Sequence, residues 1–167
     1  MVHMHTIEQL RETFRLKPHP EGGWYSEIFR SITRVRDGER ERAASTAIYF
    51  ALEAHDFSAF HRVDADEVWH HYLGPSLSLF LLHASGTLEQ ITLGKDLGRG
   101  EQPQAVVPRG VWQAAKPSSA GAAPPVLCGC TVAPGFEFRD FELATRAELV
   151  ASYPEHAGLI ASLTRSR

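Results

Sequence analysis

Two short runs near the middle of the chain contain residues that could bind a ligand or move a proton. The first, FHRVDADEVWHHYLG, contains His61, Glu67 and Gly74, and the second, VVPRGVWQ, ends at Gln113. A buried histidine beside a carboxylate is a natural proton-transfer pair, and a carboxylate inside an apolar pocket has a raised pKa that suits acid–base catalysis. We therefore take Glu67 and His61 as the candidate catalytic residues. The alternative for Glu67 is a structural carboxylate, and the alternative for His61 is a ring that only shapes the pocket.

The local pattern indicates how these residues could be brought together. Residues 61 and 63 lie on the same face of a strand, because side chains alternate along an extended chain. A tight turn through residues 64–66 leads into the next strand, where Glu67 is predicted to lie beside residues 61 and 63. The Pro108-x-Gly110 turn then directs Gln113 toward them from a third strand. Strands that gather residues distant in sequence are typical of a closed barrel.

The surrounding pattern predicts an all-β fold with short N- and C-terminal helices. A capping box at Thr6 and Gln9 begins a helix over residues 6–15, and a second box at Thr145 and Glu148 begins the C-terminal helices over residues 145–164. Many short apolar segments with polar turns between them favour a sandwich or barrel. We predict strands near 23–32, 44–54, 57–63, 66–73, 76–83, 87–93, 104–107, 111–116, 126–133 and 137–143.

Five ordered blocks resemble one family, the DUF985 (cupin_5, RmlC-like) branch of the cupin superfamily: HPEGGWYSEIFRS, TAIYF, SAFHRVDADEVWHHYLG, VVPRGVWQAAKP and GCTVAPGFEFRDFEL. The resemblance implies a cupin jelly roll (a double-stranded β-helix) with a pocket in the barrel mouth, and usually a homodimer. We expect one cupin domain over residues 1–167, with its barrel core over about 19–143. The resemblance implies no particular reaction.

The resemblance also points to a depleted metal site. In the cupin pattern the first motif supplies two histidines and a glutamate, and the second motif supplies a third histidine. Here Val63 stands in the second histidine position and Gln113 in the third. Because iron, manganese and zinc usually need three or more imidazole, carboxylate or thiolate ligands, we expect no tight metal and no cofactor. His61, Glu67 and Gln113 are candidates only for a weakly bound divalent ion.

Other residues could contact an organic ligand. Gln113 has both a donor and an acceptor with which to orient a hydroxyl or carbonyl group. Trp69 and Phe60 flank the catalytic pair in sequence, and a close fold of HPEGGWYSE would bring Glu21, Trp24 and Tyr25 to the pocket. The alternative for the aromatic residues is ordinary core packing, which we favour for Trp24 and Trp69.

A second group of residues is predicted to lie too far from the pocket, or on the wrong strand face, to contact a ligand there. His71 shares the strand face of Glu67 but lies about 13 Å along it at the usual strand rise. His70 and Tyr72 are predicted on the opposite face, as an outer surface, a dimer contact or a second pocket wall. Cys128 and Cys130 are expected to be reduced and buried. His3 and His5 are expected in a disordered terminus.

The composition limits the classes of partner. The net charge is −3, from 17 basic and 20 acidic residues, which argues against a nucleic-acid partner. The densest basic run, Arg34 to Arg42, is interleaved with acids and is predicted as a solvated hairpin tip. No stretch at the start resembles a signal peptide or membrane span, so we expect a cytoplasmic protein without a membrane partner.

These observations favour a protein that binds a small polar metabolite, such as a sugar or another carbonyl compound. If it is an enzyme, the pattern favours a metal-independent isomerase or epimerase, in which Glu67 takes a proton, His61 gives one and Gln113 holds the developing negative charge. A non-catalytic sensor or carrier is one alternative. A metal-dependent, oxygenase-like cupin with a reduced ligand set is the other.

Overall fold

The structure is a computed structural model that describes residues 5–119, 121 and 123–165. His3 lies outside the described residues, and His5 is exposed at their start. Within these residues, no helix has both the length and the apolar character needed to cross a membrane.

An amphipathic helix begins the described chain. Helix α1 spans Ile7–Phe14, and Thr6 caps it as the sequence predicts. The Thr6 hydroxyl accepts from the Gln9 amide at 3.3 Å, and the Gln9 side chain accepts from the Thr6 amide at 3.0 Å. Ile7 and Leu10 are buried against the outside of the barrel, together with Ala51 and Leu127. The capping box and this apolar stripe therefore fix where the helix starts and which face it buries.

Thirteen strands follow among the described residues, and most of them match the segments predicted from alternating polarity. They are β1 (Lys17–Pro18), β2 (Trp24–Arg30), β3 (Arg34–Asp37), β4 (Arg40–Ala43), β5 (Thr46–Leu52), β6 (Ser58–Val63), β7 (Asp66–Leu73), β8 (Leu77–Leu82), β9 (Leu88–Leu93), β10 (Gln104–Val107), β11 (Trp112–Pro117), β12 (Val126–Ala133) and β13 (Phe141–Leu143).

Two antiparallel sheets build the barrel. The first has the order β1-β2-β5-β12-β7-β10, and the second has the order β13-β6-β11-β8-β9. Their facing sides enclose the main core, which includes Phe50, Trp69, Leu79, Leu81 and Cys128. Strands far apart in sequence are neighbours, as β12 is of both β5 and β7. This arrangement confirms the predicted cupin-like double-stranded β-helix with short terminal helices.

The C-terminal part differs from the sequence prediction in detail. Helix α2 (Arg146–Ser152) and helix α3 (Ala157–Ser162) are separated by a short 3-10 turn at Pro154–His156. The second predicted capping box is wrong, because the Thr145 hydroxyl contacts the Glu148 carboxylate and makes no bond to a helix amide. The predicted strand over 137–143 is only β13, because a 3-10 turn at Phe138–Asp140 occupies its first half.

The basic run from Arg34 to Arg42 forms the β3–β4 hairpin, but the prediction of a solvated tip is wrong for Arg42. This side chain is fully buried. It donates to the carbonyl oxygens of Asp64 at 2.7 Å and Gly135 at 2.8 Å, and it pairs with Asp37 at 2.9 Å. A guanidinium has five donors, so one arginine can tie together backbone segments that end near one point. Arg42 thus fastens the hairpin to the turn before β7 and to the segment after β12.

Candidate functional site

Two pairs of neighbouring strands, one pair in each sheet, place the central side chains of the site. Gln113 on β11 is opposite His61 on β6, and Val132 on β12 is opposite Glu67 on β7. His61, Glu67 and Gln113 are all nearly inaccessible to solvent. The turn geometry predicted from the two motifs therefore brings these three residues into one interior.

A chain of hydrogen bonds fixes the Glu67 carboxylate. The Trp69 indole N–H donates to Gln113 Oε1 at 2.8 Å, and Gln113 Nε2 donates to Glu67 Oε2 at 2.6 Å. Because the indole can only donate, it sets the orientation of the amide. Gln113 therefore presents its N–H to Glu67, and both of its polar atoms are used within the protein.

The segment before β2 adds a second carboxyl group to this interior. Glu21 is buried, and its hydroxyl neighbour Ser58 donates to Oε1 at 2.9 Å. Gly22 and Gly23 have φ angles of +113° and +71°, which other residues rarely adopt. The glycine pair therefore permits the sharp path that places Glu21 between the sheets.

Contacts from the C-terminal end of the described chain hold this segment. The Gly23 amide donates to Asp56 Oδ2 at 2.9 Å. Arg165 in turn donates to Asp56 Oδ1 at 2.7 Å and to the Phe57 carbonyl at 2.8 Å. Arg165 and Asp56 form a clasp behind Glu21, so the position of this carboxyl depends on residues far from it in sequence.

Glu21 and His61 share a proton. His61 Nδ1 lies 2.8 Å from the Ala59 carbonyl oxygen, which only accepts, so this nitrogen carries the hydrogen of the neutral ring. Nε2 is then free to accept, and it lies 3.1 Å from Glu21 Oε2. Burial raises the pKa of Glu21 to about 8 and lowers the pKa of His61. At neutral pH the shared proton therefore resides mainly on the Glu21 carboxyl.

His19 adds a second neutral imidazole near the same Glu21 oxygen that His61 contacts. Its Nδ1 accepts from the Glu21 amide at 3.2 Å, so its hydrogen is on Nε2. Burial, together with the smaller effect of the nearby His61, lowers the pKa of His19 to about 3. The His19 ring thus stays uncharged throughout the pH range in which most proteins are stable.

Glu67 is the second buried acid of the site. Burial raises the pKa of Glu67, while His61 and the Gln113 amide favour its ionised form and lower the pKa. The thiol of Cys130 lies beside it, and burial raises the pKa of Cys130 well above the usual range for a thiol. Cys130 is therefore a neutral neighbour rather than a nucleophile.

These groups line a cavity of about 260 Å³, which is the size of a small metabolite site. Four aromatic rings, Tyr25, Phe136, Phe138 and Phe141, form much of its wall. Charged side chains stand at its mouth, namely Lys17, Glu27, Arg30 and Glu137. The cavity thus has a polar, uncharged or weakly acidic floor below an aromatic wall.

The other residues proposed from the sequence lie elsewhere. Trp69 and Gln113 are behind the cavity and support Glu67. Phe60 lies on the far side of its strand, in a cluster with helices α2 and α3. Trp24 packs near helix α1, with the Arg11 guanidinium 3.8 Å from its ring centroid. Strand alternation explains both displacements, because His61 and Tyr25 are the neighbours of Phe60 and Trp24 and face the interior instead.

Some residues that line the cavity were not selected from the sequence: His19, Cys130 and the phenylalanines of the segment after β12. His19 begins the HPEGGW block, so membership of that block could have identified it as a site residue. The alternating phenylalanines in GFEFRDF could likewise have identified the aromatic wall. The outer-face placement of His70 and Tyr72 agrees with strand parity, because His70 bonds Thr131 and Tyr72 packs on Gly129.

The cupin pattern implies a metal, but the side chains here do not fit one. Val63 has no donor atom, and both polar atoms of Gln113 are engaged within the protein. His71 bonds the Pro75 carbonyl and is not part of the cavity lining. Among the described residues, no three His, Cys, Asp or Glu side chains are arranged to hold a metal ion. The polar groups of the floor bond one another instead.

The fold and the arrangement of the two motifs define a cupin. The family model described as "Cupin superfamily (DUF985)" matches residues 8–144, and the chain belongs to this family. A hypothetical protein from Leishmania major is 34% identical, with a TM-score of 0.91 over 97% of this chain and 100% of that one. A protein from Shewanella oneidensis is 36% identical, with a TM-score of 0.89 over 98% and 100%.

More distant similarity concerns the fold alone. A tryptophan-to-tyrosine variant of oxalate decarboxylase from Bacillus subtilis superposes with a TM-score of 0.57 at 11% identity, over 90% of this chain and 37% of that one. No curated protein matches the chain.

Proposed function

We propose that the cavity binds a small polar metabolite with a carbonyl group, such as a sugar, and moves a proton at the carbon next to that carbonyl. The protein would then be a metal-independent isomerase or epimerase. One observation carries the proposal: two buried carboxyl groups, Glu21 and Glu67, flank His61 in one cavity and are held in different hydrogen-bonding environments. A pair of acids with different proton affinities is the usual basis for dividing acid and base roles.

The roles follow from the hydrogen bonds. Gln113 donates to Glu67 and stabilises its ionised form against burial, which raises the pKa of this carboxyl, so we assign Glu67 as the base that removes the proton from carbon. Glu21 holds the proton it shares with His61, so this pair is the acid that protonates the carbonyl oxygen. The C–H electrons form a carbon–carbon double bond as the carbonyl becomes an enol. Return of a proton to carbon, and of the hydroxyl proton to the pair, completes the isomerisation without any other reactant.

Gln113 has a different role from the one expected from sequence. Since both of its polar atoms are bonded to Trp69 and Glu67, we propose that it positions the base. The ligand oxygen is then met by the Glu21–His61 pair, and the neutral His19 ring lies close by, with its Nδ1 3.5 Å from Glu21 Oε2.

The test is hydrogen exchange in heavy water. Protein free of affinity tag is incubated with a pool of keto sugars, and uptake of deuterium at carbon is followed by mass spectrometry. We expect uptake that E67Q lowers by roughly 10²–10⁴-fold, the usual contribution of a general base. E89Q, which removes a surface charge on β9, is the matched control and should retain full exchange.

Other results would identify the alternatives. Tight binding of a pool member in a thermal-shift assay without deuterium uptake would reject the isomerase and support a sensor or carrier. Stoichiometric metal in untagged protein, lost in His61→Ala, would support the metal-dependent alternative.

Two wider expectations remain part of the proposal. We propose that the protein acts in the cytoplasm as a homodimer. Exposed apolar side chains on and after β2, namely Ile28, Phe29 and Ile32, favour self-association near this edge of the sheet. Light scattering coupled to gel filtration tests this, and a monomeric mass at micromolar concentration would reject it.

A further inference from the structure

The interior of the cavity contains two carboxyl groups, and the only basic side chains near them among the described residues are the neutral imidazoles of His19 and His61. Ser58 and His61 contact the Glu21 carboxyl, and Gln113 contacts Oε2 of Glu67. Among the described residues, no lysine or arginine bonds either group, and the further donor beside Glu67 is the Cys130 thiol, a weak hydrogen-bond donor. This carboxylate is more than nine-tenths buried and lines the cavity, so one of its oxygens is available to a ligand.

The basic groups at the mouth are already neutralised or lie outside. Arg30 forms a two-point ion pair with Glu27, at 2.9 and 2.7 Å. The Lys17 ammonium lies 5.2 Å from the centroid of the Tyr25 ring, and Lys17 itself is exposed. An anionic ligand entering the cavity would therefore find no buried positive partner, and it would have to lie beside Glu67.

The wall above the acids is suited to a positive charge. The centroid of Phe138 lies 5.0 Å from that of Phe136 and 6.2 Å from that of Phe141, with the rings edge-to-face. Phe141 also lies 5.4 Å from the His61 ring, so this wall reaches the acid–base pair. The faces of aromatic rings attract cations, and lysine already uses Tyr25 in this way at the rim.

We propose that the cavity selects a small organic ammonium ion, so that its ligand has a positively charged amino group beside its hydroxyl or carbonyl groups. The ammonium group would lie between Phe138 and Phe141, with its hydrogens directed to Oε1 of Glu67. This inference rests on the proposed function for the location of the site and names the class of its substrate. An amino sugar has the required size and chemistry.

Cation binding changes the proton content of the cavity. Glu21 and Glu67 are the acids that would face the cation, while His19, His61 and Cys130 stay neutral around them. A bound ammonium favours the ionised carboxylates, so a fraction of a proton leaves the site on binding. Neutral sugars have no such effect.

The experiment compares three matched probes, glucosamine, glucose and glucuronate, by titration calorimetry on the full chain. Each titration is repeated in two buffers with different ionisation enthalpies, which reports protons released. We expect glucosamine to bind at least about tenfold more tightly than glucose, with proton release, and glucuronate to bind most weakly. Equal affinities, tighter binding of glucuronate, or no binding of glucosamine would overturn the inference.

Two variants separate charge recognition from general loss of the site. E67Q should remove the preference for glucosamine over glucose, while E89Q should leave it unchanged. Phe138→Leu alters a half-exposed ring of the wall and should weaken glucosamine several-fold more than glucose. A preference for glucosamine that survives both E67Q and F138L would also overturn the inference.

The outcome is distinguishable from failure of the proposed reaction. Selective glucosamine binding without deuterium uptake in any amino sugar would retain the cation site and reject the isomerase. Deuterium uptake in keto sugars without any preference for the ammonium group would do the reverse.

Discussion

Glu21 Oε2 lies 3.1 Å from Nε2 of His61, although Glu21 comes from the loop before β2 and His61 from β6. The other nitrogen of the ring is committed to the Ala59 carbonyl. One proton therefore occupies the gap, and the two groups titrate as a pair. This relationship makes the loop before β2 part of the proposed acid–base site rather than a cover over it.

The shared proton predicts how stability depends on pH. Burial raises the pKa of Glu21 from 4.5 to about 8 in the folded protein, so the folded state binds this proton more tightly than the unfolded state. The contribution of Glu21 to stability is then fully present below about pH 4.5 and is lost as pH rises through about 8.

Glu21→Gln keeps the shape but removes this titration. We expect the stability difference between wild type and E21Q to shift in favour of E21Q from pH 4.5 to 8, by an amount on the order of 4 kcal/mol. Urea unfolding at several pH values measures it. Parallel pH profiles for the two proteins would show that Glu21 is ionised in the folded state.

Restoring histidine at the two positions that lack a metal ligand is predicted to create a metal-binding site. Val63 faces the cavity, and Gln113 occupies the position from which a third histidine would reach the same point. V63H/Q113H should therefore bind a divalent transition metal stoichiometrically together with His61 and Glu67. Elemental analysis of untagged protein and a metal-dependent rise in Tm measure this.

The wild type should contain substoichiometric metal under the same conditions, and V63H alone should lie between the two. A double variant that folds, as judged by circular dichroism, yet takes up no more metal than wild type would contradict the interpretation of positions 63 and 113.

The buried guanidinium of Arg42 predicts a large structural effect. It pairs with Asp37 at 2.9 Å and Asp140 at 3.3 Å and donates to several backbone carbonyls. Arg42→Met leaves buried charges and carbonyls without partners, so we expect a loss of about 3–5 kcal/mol in the free energy of unfolding.

Arg109→Met is the matched control, because Arg109 also pairs with Asp37 but is exposed. Its cost should stay below about 1 kcal/mol. Similar losses for the two variants in urea unfolding would argue against Arg42 as the main tie between the hairpin and the barrel.

The motif glycine at position 74 offers a test of backbone packing. Gly74 has a φ of +90°, and a Cβ there would lie 2.2 Å from the Pro125 carbonyl oxygen. Gly38 has a φ of +60°, but nothing lies within 4 Å of its Cβ position. G38A should cost about 1–2 kcal/mol from conformation alone, and G74A should cost clearly more. Equal unfolding free energies would show that the β7–β12 contact relaxes easily.

The sequence predicts much of this architecture because helix capping, strand alternation and turn residues all indicate the same elements. Thr6 and Gln9 mark the start of α1, and strict alternation marks β7 so well that its bounds match. The motif spacing also brings His61, Glu67 and Gln113 together correctly. These features depend on neighbouring residues, which periodicity and turn chemistry report directly.

Other features depend on contacts that a single sequence does not display. Arg42 stands in a charged run that suggests solvent, but it bonds backbone carbonyls from two distant segments and the carboxylates of Asp37 and Asp140. Glu21 was selected as a ligand contact, yet its pairing with His61 follows from the path of the loop through Gly22 and Gly23. Gln113 was expected to face a ligand, and only the position of the Trp69 indole shows that its amide is already used.

The clasp behind Glu21 has a consequence for folding order. Arg165 and Asp56 are 109 residues apart in sequence, and closing so long a loop is entropically costly before the barrel exists. We expect the barrel to collapse first and the clasp to close afterwards, so the acid–base pair is completed late. In stopped-flow experiments, Arg165→Ala should then accelerate unfolding while the refolding rate stays nearly unchanged.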